Sequence, residues 1–186
     1  MRVTKNLRPD QELIMRFLDA FGVGAAMLSQ SKRARPGFFI FAHTFIHEYM
    51  EENFFKKEEL LLAALEDEGF PGDEGPIGAM HAEQKKSRDS AELMFNAAKA
   101  WQAGDEEARG EVGWAASEYS STLRQHMDRL KNLIFPLLEQ NLTPEDEHKI
   151  AEGFNNILFE GTTKNDQPEK FLKLIQTLEE ELSDWK

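Results

Sequence analysis

Val112–Leu137, VGWAASEYSSTLRQHMDRLKNLIFPL, decides how this chain is read. Val112, Ala116, Tyr119, Leu123, His126, Leu130, Leu133 and Leu137 recur at alternating spacings of four and three. That alternation keeps side chains on one face of an α-helix, so the stretch predicts a long amphipathic helix with its seam against a core. One member of the seam, His126, is an imidazole among hydrocarbons.

Three other stretches carry the same signature. Ile14, Leu18, Phe21, Ala25 and Leu28 form one seam, and one step backwards lands on Gln11. A second runs through Glu51, Phe54, Glu58, Leu61 and Leu65, and a third through Ile77, Met80, Gln84, Ser87, Ala91, Met94, Ala98 and Trp101. Four seams predict an all-α chain, an antiparallel up-down-up-down four-helix bundle. Gln11 and Gln84 stand near the starts of their helices, Glu58 and His126 towards the ends. Antiparallel neighbours would carry all four into one half of the bundle, as a buried layer of two amides, a carboxylate and an imidazole. Bundle proteins build metal and cofactor sites from such inward side chains.

Punctuation sets the limits. Pro9 and Asp10 open helix one, which should reach about Ser31, and helix two should follow Pro36 and Gly37 to about Glu68. GFPGDEGP, Gly69 to Pro76, reads as a loop. Helix three should reach about Ala103, Gly104 breaks it, and helix four should end near Asn141. Thr143 before Pro144, Glu145 and Asp146 is a strong helix start. Two short helices are expected at about 144–159 and 167–184, so the chain reads as one domain, with a bundle over about 8–141 and a C-terminal helical extension over about 144–184.

Composition narrows the function. The chain has 186 residues, no cysteine and a net charge of −12. No disulfide, thiolate site or redox thiol can be invoked. The negative charge argues against nucleic acid or an anionic membrane as partner, since both require a basic footprint. No apolar run approaches the roughly twenty residues of a membrane span, and the start lacks a secretory signal pattern. Cytoplasm is the expected location.

The stretch FIHEYMEENFFKKEELLLAALEDEGFPGDEGPIGAMHAEQKKSR, together with LRPDQELI before it and YSSTLRQHMDRLKNLIFPLLEQNL after it, resembles the hemerythrin-like HHE cation-binding domain. The resemblance covers about residues 7–142. It implies an antiparallel four-helix bundle that holds a non-haem iron pair, or another metal, through histidines and carboxylates. Carried over position by position, the first-helix histidine corresponds to Gln11, the paired histidines to Phe54 and Phe55, the third-helix Glu-His to Glu83 and Gln84, and the fourth-helix glutamate to Leu130. Only Glu58 and His126 keep ligating side chains. A one-residue shift in register would put Asn53 and Lys57 at the second-helix positions and restores no histidine.

Phe and Leu cannot ligate a metal, and a neutral amide oxygen is a weak ligand for iron or zinc. The expectation is therefore a degenerate metal centre with no cofactor, in which the Glu58 carboxylate accepts hydrogen bonds from His126 and a glutamine amide. The alternative is a residual site for non-haem iron or another divalent metal, built from Glu58, His126 and His81. The corresponding functions are a non-enzymatic binding, sensing or scaffold role, with a small apolar ligand in the bundle core, or oxygen- or redox-linked chemistry like that of the relatives. No nucleophile, phosphate loop or other catalytic constellation replaces the lost ligands. His43 and His47, four apart, lack a third ligand and read as surface or boundary residues, and His148 reads as exposed. The run Phe38, Phe39, Ile40, Phe41 cannot all face one core; it is open to packing under the C-terminal helices or to a homodimer contact.

Overall fold

The computed structural model describes residues 2–160 and 168–186, and among these it contains helices and no strand. A short α1 (Arg2–Asn6) precedes α2 (Arg8–Met27), which is helix one of the bundle. Helix two is spliced from α3 (Pro36–Phe45), a π-helical segment (Ile46–Phe54) and α4 (Phe55–Asp67). Helix three is α5 (Gly75–Gln102). Helix four is spliced likewise, from α6 (Ala108–Arg129), a π-helical segment (Leu130–Ile134) and α7 (Phe135–Asn141). Then follow α8 (Pro144–Glu160) and α9 (Pro168–Asp184); residue 167, the expected start of the last helix, lies outside the described residues.

Neighbouring helices run antiparallel. Along helices one and two, Phe17 stacks on Phe45 and Phe21 meets Phe39 edge-on, with the numbers moving in opposite directions. The same holds for His43 on Phe95 and Glu51 on Arg88, and for Arg124 on Asp19 and Tyr119 on Phe21. The helix-one and helix-three seams are buried as their spacing demands, including Ile14, Leu18, Phe21, Met80, Met94 and Ala98, each fully inaccessible.

Helix four departs from its expected seam at one point, and the departure has a clear cause. Up to Leu130 the seam is buried, but beyond it Ile134 and Leu138 are fully buried while Leu133 is 37% exposed. A π-helical turn closes i→i+5 hydrogen bonds and takes in one more residue than an α-turn, so the seam moves on by one. Pro136 sits directly after this wide turn. Its ring has no N–H and would crowd the carbonyl four residues back in a regular α-helix, a conflict that the wider turn relieves. Helix two behaves in the same way: Phe54, Glu58, Leu61 and Leu65 face the core as expected. Ahead of Phe54, however, the buried set is Phe38, Phe39, Ala42, Phe45, Tyr49 and Met50, one step away from the extrapolated phase.

The C-terminal helices complete the core. On α9, Phe171 packs edge-on to Phe45 and Tyr49, and just past the helix end Trp185 lies against Phe38 and Phe39. Ion pairs from Arg16 to Glu179 and from Lys170 to Glu48 flank this contact. Phe38 and Phe39 are therefore covered by the chain's own C-terminal segment, while Phe41 stays 40% exposed. Thr143 caps α8 as expected: its hydroxyl accepts from the Asp146 N–H, and the Asp146 carboxylate accepts from the Thr143 N–H. Arg109 lies over the Trp101 ring and donates to the Leu28 and Ser31 carbonyls, closing the end of helix one.

Helix one packs tightly against helix two at Gly24. A Cβ there would lie 2.5 Å from Cε1 of Phe38, a ring that is wedged against Phe39 and Trp185 and cannot yield. Overpacking costs about 1–3 kcal/mol, against roughly 1 kcal/mol that alanine contributes to helix propensity. Gly24→Ala is expected to lower stability by up to about 2 kcal/mol in urea unfolding, whereas the propensity effect by itself would raise it.

Candidate metal centre and adjoining cleft

Three of the four polar seam residues meet. Helix four places His126 in the core with no solvent contact, helix two brings Glu58 at 1% exposure, and helix three supplies Gln84 at 6%. The Glu58 Oε1 accepts from His126 Nε2–H at 2.6 Å and from the Gln84 amide at 2.6 Å. Glu83, the neighbour of Gln84, is the member that seam spacing missed. Its Oε1 accepts from His126 Nδ1–H at 3.1 Å, and Arg129 donates to both Glu83 oxygens at 3.2 and 3.4 Å. The signal was present in the resemblance, which pairs a glutamate with the position of Gln84, but spacing put Glu83 off the seam.

An imidazole that donates from both nitrogens to two carboxylates is held as imidazolium. Burial pulls the His126 pKa down, but the charge and hydrogen bond of Glu58, then those of Glu83, outweigh it and raise it to about 9. Burial likewise pushes the Glu83 carboxyl up, and the hydrogen bonds and charges of His126 and Arg129 bring it below the ordinary carboxylate value.

Gln11 does not join the layer. It is half-buried, and no hydrogen bond links its side chain to the layer among the described residues. The residue that helix one sends inward is Asp10, 9% exposed. It accepts a short hydrogen bond from the Tyr49 hydroxyl and lies 3.5 Å from the Lys57 ammonium. The phase ahead of Phe54 explains this second cluster, since the π-helical segment turns Tyr49 inward where a regular helix would not. Both second-helix registers are represented in the core: Phe54 and Asn53 are buried, and so are Glu58 and Lys57.

His81 stands elsewhere. Its Nδ1 is 3.0 Å from the Gly72 carbonyl and its Nε2 3.4 Å from Glu59, so the ring ties the loop to helix two and does not reach Glu58 or His126. His43 stacks on Phe95 with ring centroids 3.9 Å apart, its pKa lowered to about 4 by burial, then by His47 and Lys99, while His47 and His148 are exposed.

A pair of metal ions needs several convergent, deprotonated donors. Here both His126 nitrogens are taken, on opposite sides of the ring, by Glu58 and Glu83. Phe54 and Leu130, at two former ligand positions, are fully buried hydrocarbon, and Gln84 presents its amide N–H₂ to Glu58. Among the described residues no group of three or more His, Asp or Glu is arranged to hold a metal ion. The side chains as placed do not fit a di-metal set. Among the described residues two oxygens of helix two at or beside the former ligand positions are unmatched: Glu58 Oε2 and Asn53 Oδ1 are buried without a partner.

Gln11 lies instead on a cleft of about 590 Å³ between helix one and helix four. Buried Met127 and Phe135 and half-buried Met15 give it an apolar floor. Among the described residues no helix is long and apolar enough to cross a membrane.

No match was found among curated proteins or solved structures. The hemerythrin HHE cation-binding domain, in contrast, matches residues 5–138. With that match spanning most of the chain, and with a helical bundle whose second, third and fourth helices meet at Glu58, Gln84 and His126, the protein belongs to the hemerythrin HHE cation-binding domain family.

Proposed function

We propose that this protein is a hemerythrin-like bundle with a degenerate metal centre and a non-enzymatic role, binding a small apolar molecule for sensing or as a scaffold, with the cytoplasm as its location. The supporting observation is the placement of His126, whose two nitrogens each face a carboxylate while hydrocarbon fills the positions of Phe54 and Leu130. An imidazolium in that place supplies positive charge between two carboxylates, the electrostatic part a cation would otherwise play.

A second reading rests on the unpartnered Glu58 Oε2. A single non-haem iron or other divalent ion there, with oxygen- or redox-linked function, would displace the His126 proton. Elemental analysis of protein produced with added iron and purified without chelator separates the readings. Metal well below stoichiometric is expected; about one ion per chain favours the second reading, and about two overturns both.

A further inference from the structure

Lys5, Arg8 and Lys131 line the cleft beside Gln11, and none of them has an ion pair or hydrogen-bond partner among the described residues. In a chain of net charge −12, where Arg16, Arg88, Arg124, Arg129 and Lys170 are each paired with a carboxylate, these three unpaired cations share one opening. The cleft also carries three acids, Glu12, Asp128 and Glu139.

The helix register sorts these charges. Asp19 on Arg124 and Phe21 on Tyr119 fix helices one and four as antiparallel. That register brings Met15 level with Met127, Glu12 with Lys131, Arg8 with Phe135, and Thr4 with Glu139. Asp128 therefore stands at the Met15 end, and Glu12 lies across from Lys131. Glu139 is already engaged. Lys5 and Arg8 are left at this end with no ion pair of their own among the described residues, followed by an apolar floor of Phe135, Met127 and Met15. The run from Lys5 to Met15 is roughly 15 Å at the helical rise, and about 590 Å³ is the size of a small-molecule site.

We propose that this cleft binds a single-chain carboxylic acid, with its head group on Lys5 and Arg8 and its hydrocarbon chain over Phe135, Met127 and Met15. A flexible thioether pair suits a chain of variable shape, and Gln11 offers an amide donor between head and tail. The overall negative charge repels anions in general, so the local cations select for an acid that also carries enough hydrocarbon to fill the floor. This deepens the binding role proposed above and rests on it.

The test is calorimetric titration of the full chain with dodecanoate, below its micelle concentration, and with dodecanol as the uncharged counterpart. Dodecanoate is expected to bind once per chain and at least tenfold more tightly than dodecanol. The exposed double variant Lys5→Gln/Arg8→Gln should bring the two affinities together, and Met127→Glu should abolish both. Equal affinities in the wild type, no binding of dodecanoate, or an acid preference that survives Lys5→Gln/Arg8→Gln would each overturn the proposal. Metal content measured on the same sample keeps the two ideas separable. Low metal with no dodecanoate binding removes the cleft proposal and leaves the degenerate centre standing; stoichiometric metal removes the latter.

Discussion

Replacing His126 by leucine should lower stability by about 3–5 kcal/mol, the cost of leaving a buried charge without its partner. Glu58 is 1% exposed, and after His126→Leu only the Gln84 amide would remain to face its carboxylate. The hydrocarbon gained cannot offset this, because leucine fills the imidazole's volume but supplies no charge. The double variant Glu58→Leu/His126→Leu should recover about half of the loss, since removing both members of a buried pair is often close to neutral. What remains is the Gln84 amide without its acceptor, about 1–3 kcal/mol. Glu83 keeps Arg129 in either case. Urea unfolding of the two single variants and the double variant closes the cycle. If His126→Leu proves neutral, the Glu58–His126 pair is not a buried ion pair and the network is wrong.

Alkaline pH should weaken the protein over a defined window. His126 binds its proton up to about pH 9 in the folded chain and up to its ordinary 6.5 when unfolded. Between these values the folded state holds more protons than the unfolded one, so stability falls as pH rises. The contribution is fully present below pH 6.5 and is lost as pH passes through about 9. A difference of this size corresponds to roughly 3 kcal/mol. Glu83 acts with the opposite sign: its folded pKa is depressed, so its share is present above the ordinary glutamate value and disappears as pH falls through the folded one. Unfolding midpoints measured from pH 6 to 10 should decline in the wild type and stay level in the Glu58→Leu/His126→Leu variant. A level wild-type profile would show that His126 is not charged in the folded protein.

Most of the bundle was legible because two of its helices are regular. The seams through Ile14 and Met80 run without a break, and spacing translated directly into burial. The polar layer was legible at Gln84 for the same reason, and at Glu58 and His126 because each lies on the correct side of the π-helical segment in its helix. Gln11 failed because phase does not tell whether the first turn of a helix turns an aspartate or the adjacent glutamine inward; the Tyr49 hydroxyl and the Lys57 ammonium decide in favour of Asp10. Glu83 failed because a carboxylate off the seam can still reach inward when His126 offers a second N–H. Leu133 failed because the run Leu133, Ile134, Phe135 is apolar in either phase and hides the slip. The covering of Phe38 and Phe39 by Trp185 is a contact between distant parts of the chain, to which local periodicity is blind.

The two π-helical segments set local regularity against global fit. Each holds one residue more than an ideal helix of the same hydrogen-bonded length, so deleting a single residue from 46–54 or from 130–134 would give the backbone a more regular ladder. The same deletion would turn everything on one side of the join by about 100°. In helix four it would draw Leu133 inward and push Ile134 and Leu138 out; in helix two it would swing Phe45 and Tyr49 away from Phe171. The joins fall at Phe54 and Leu130, on the two parallel helices of the bundle and beside the polar layer. The irregular turns are thus kept in place by the side chains on both flanks, and the backbone there has no way to relax without unpacking the core.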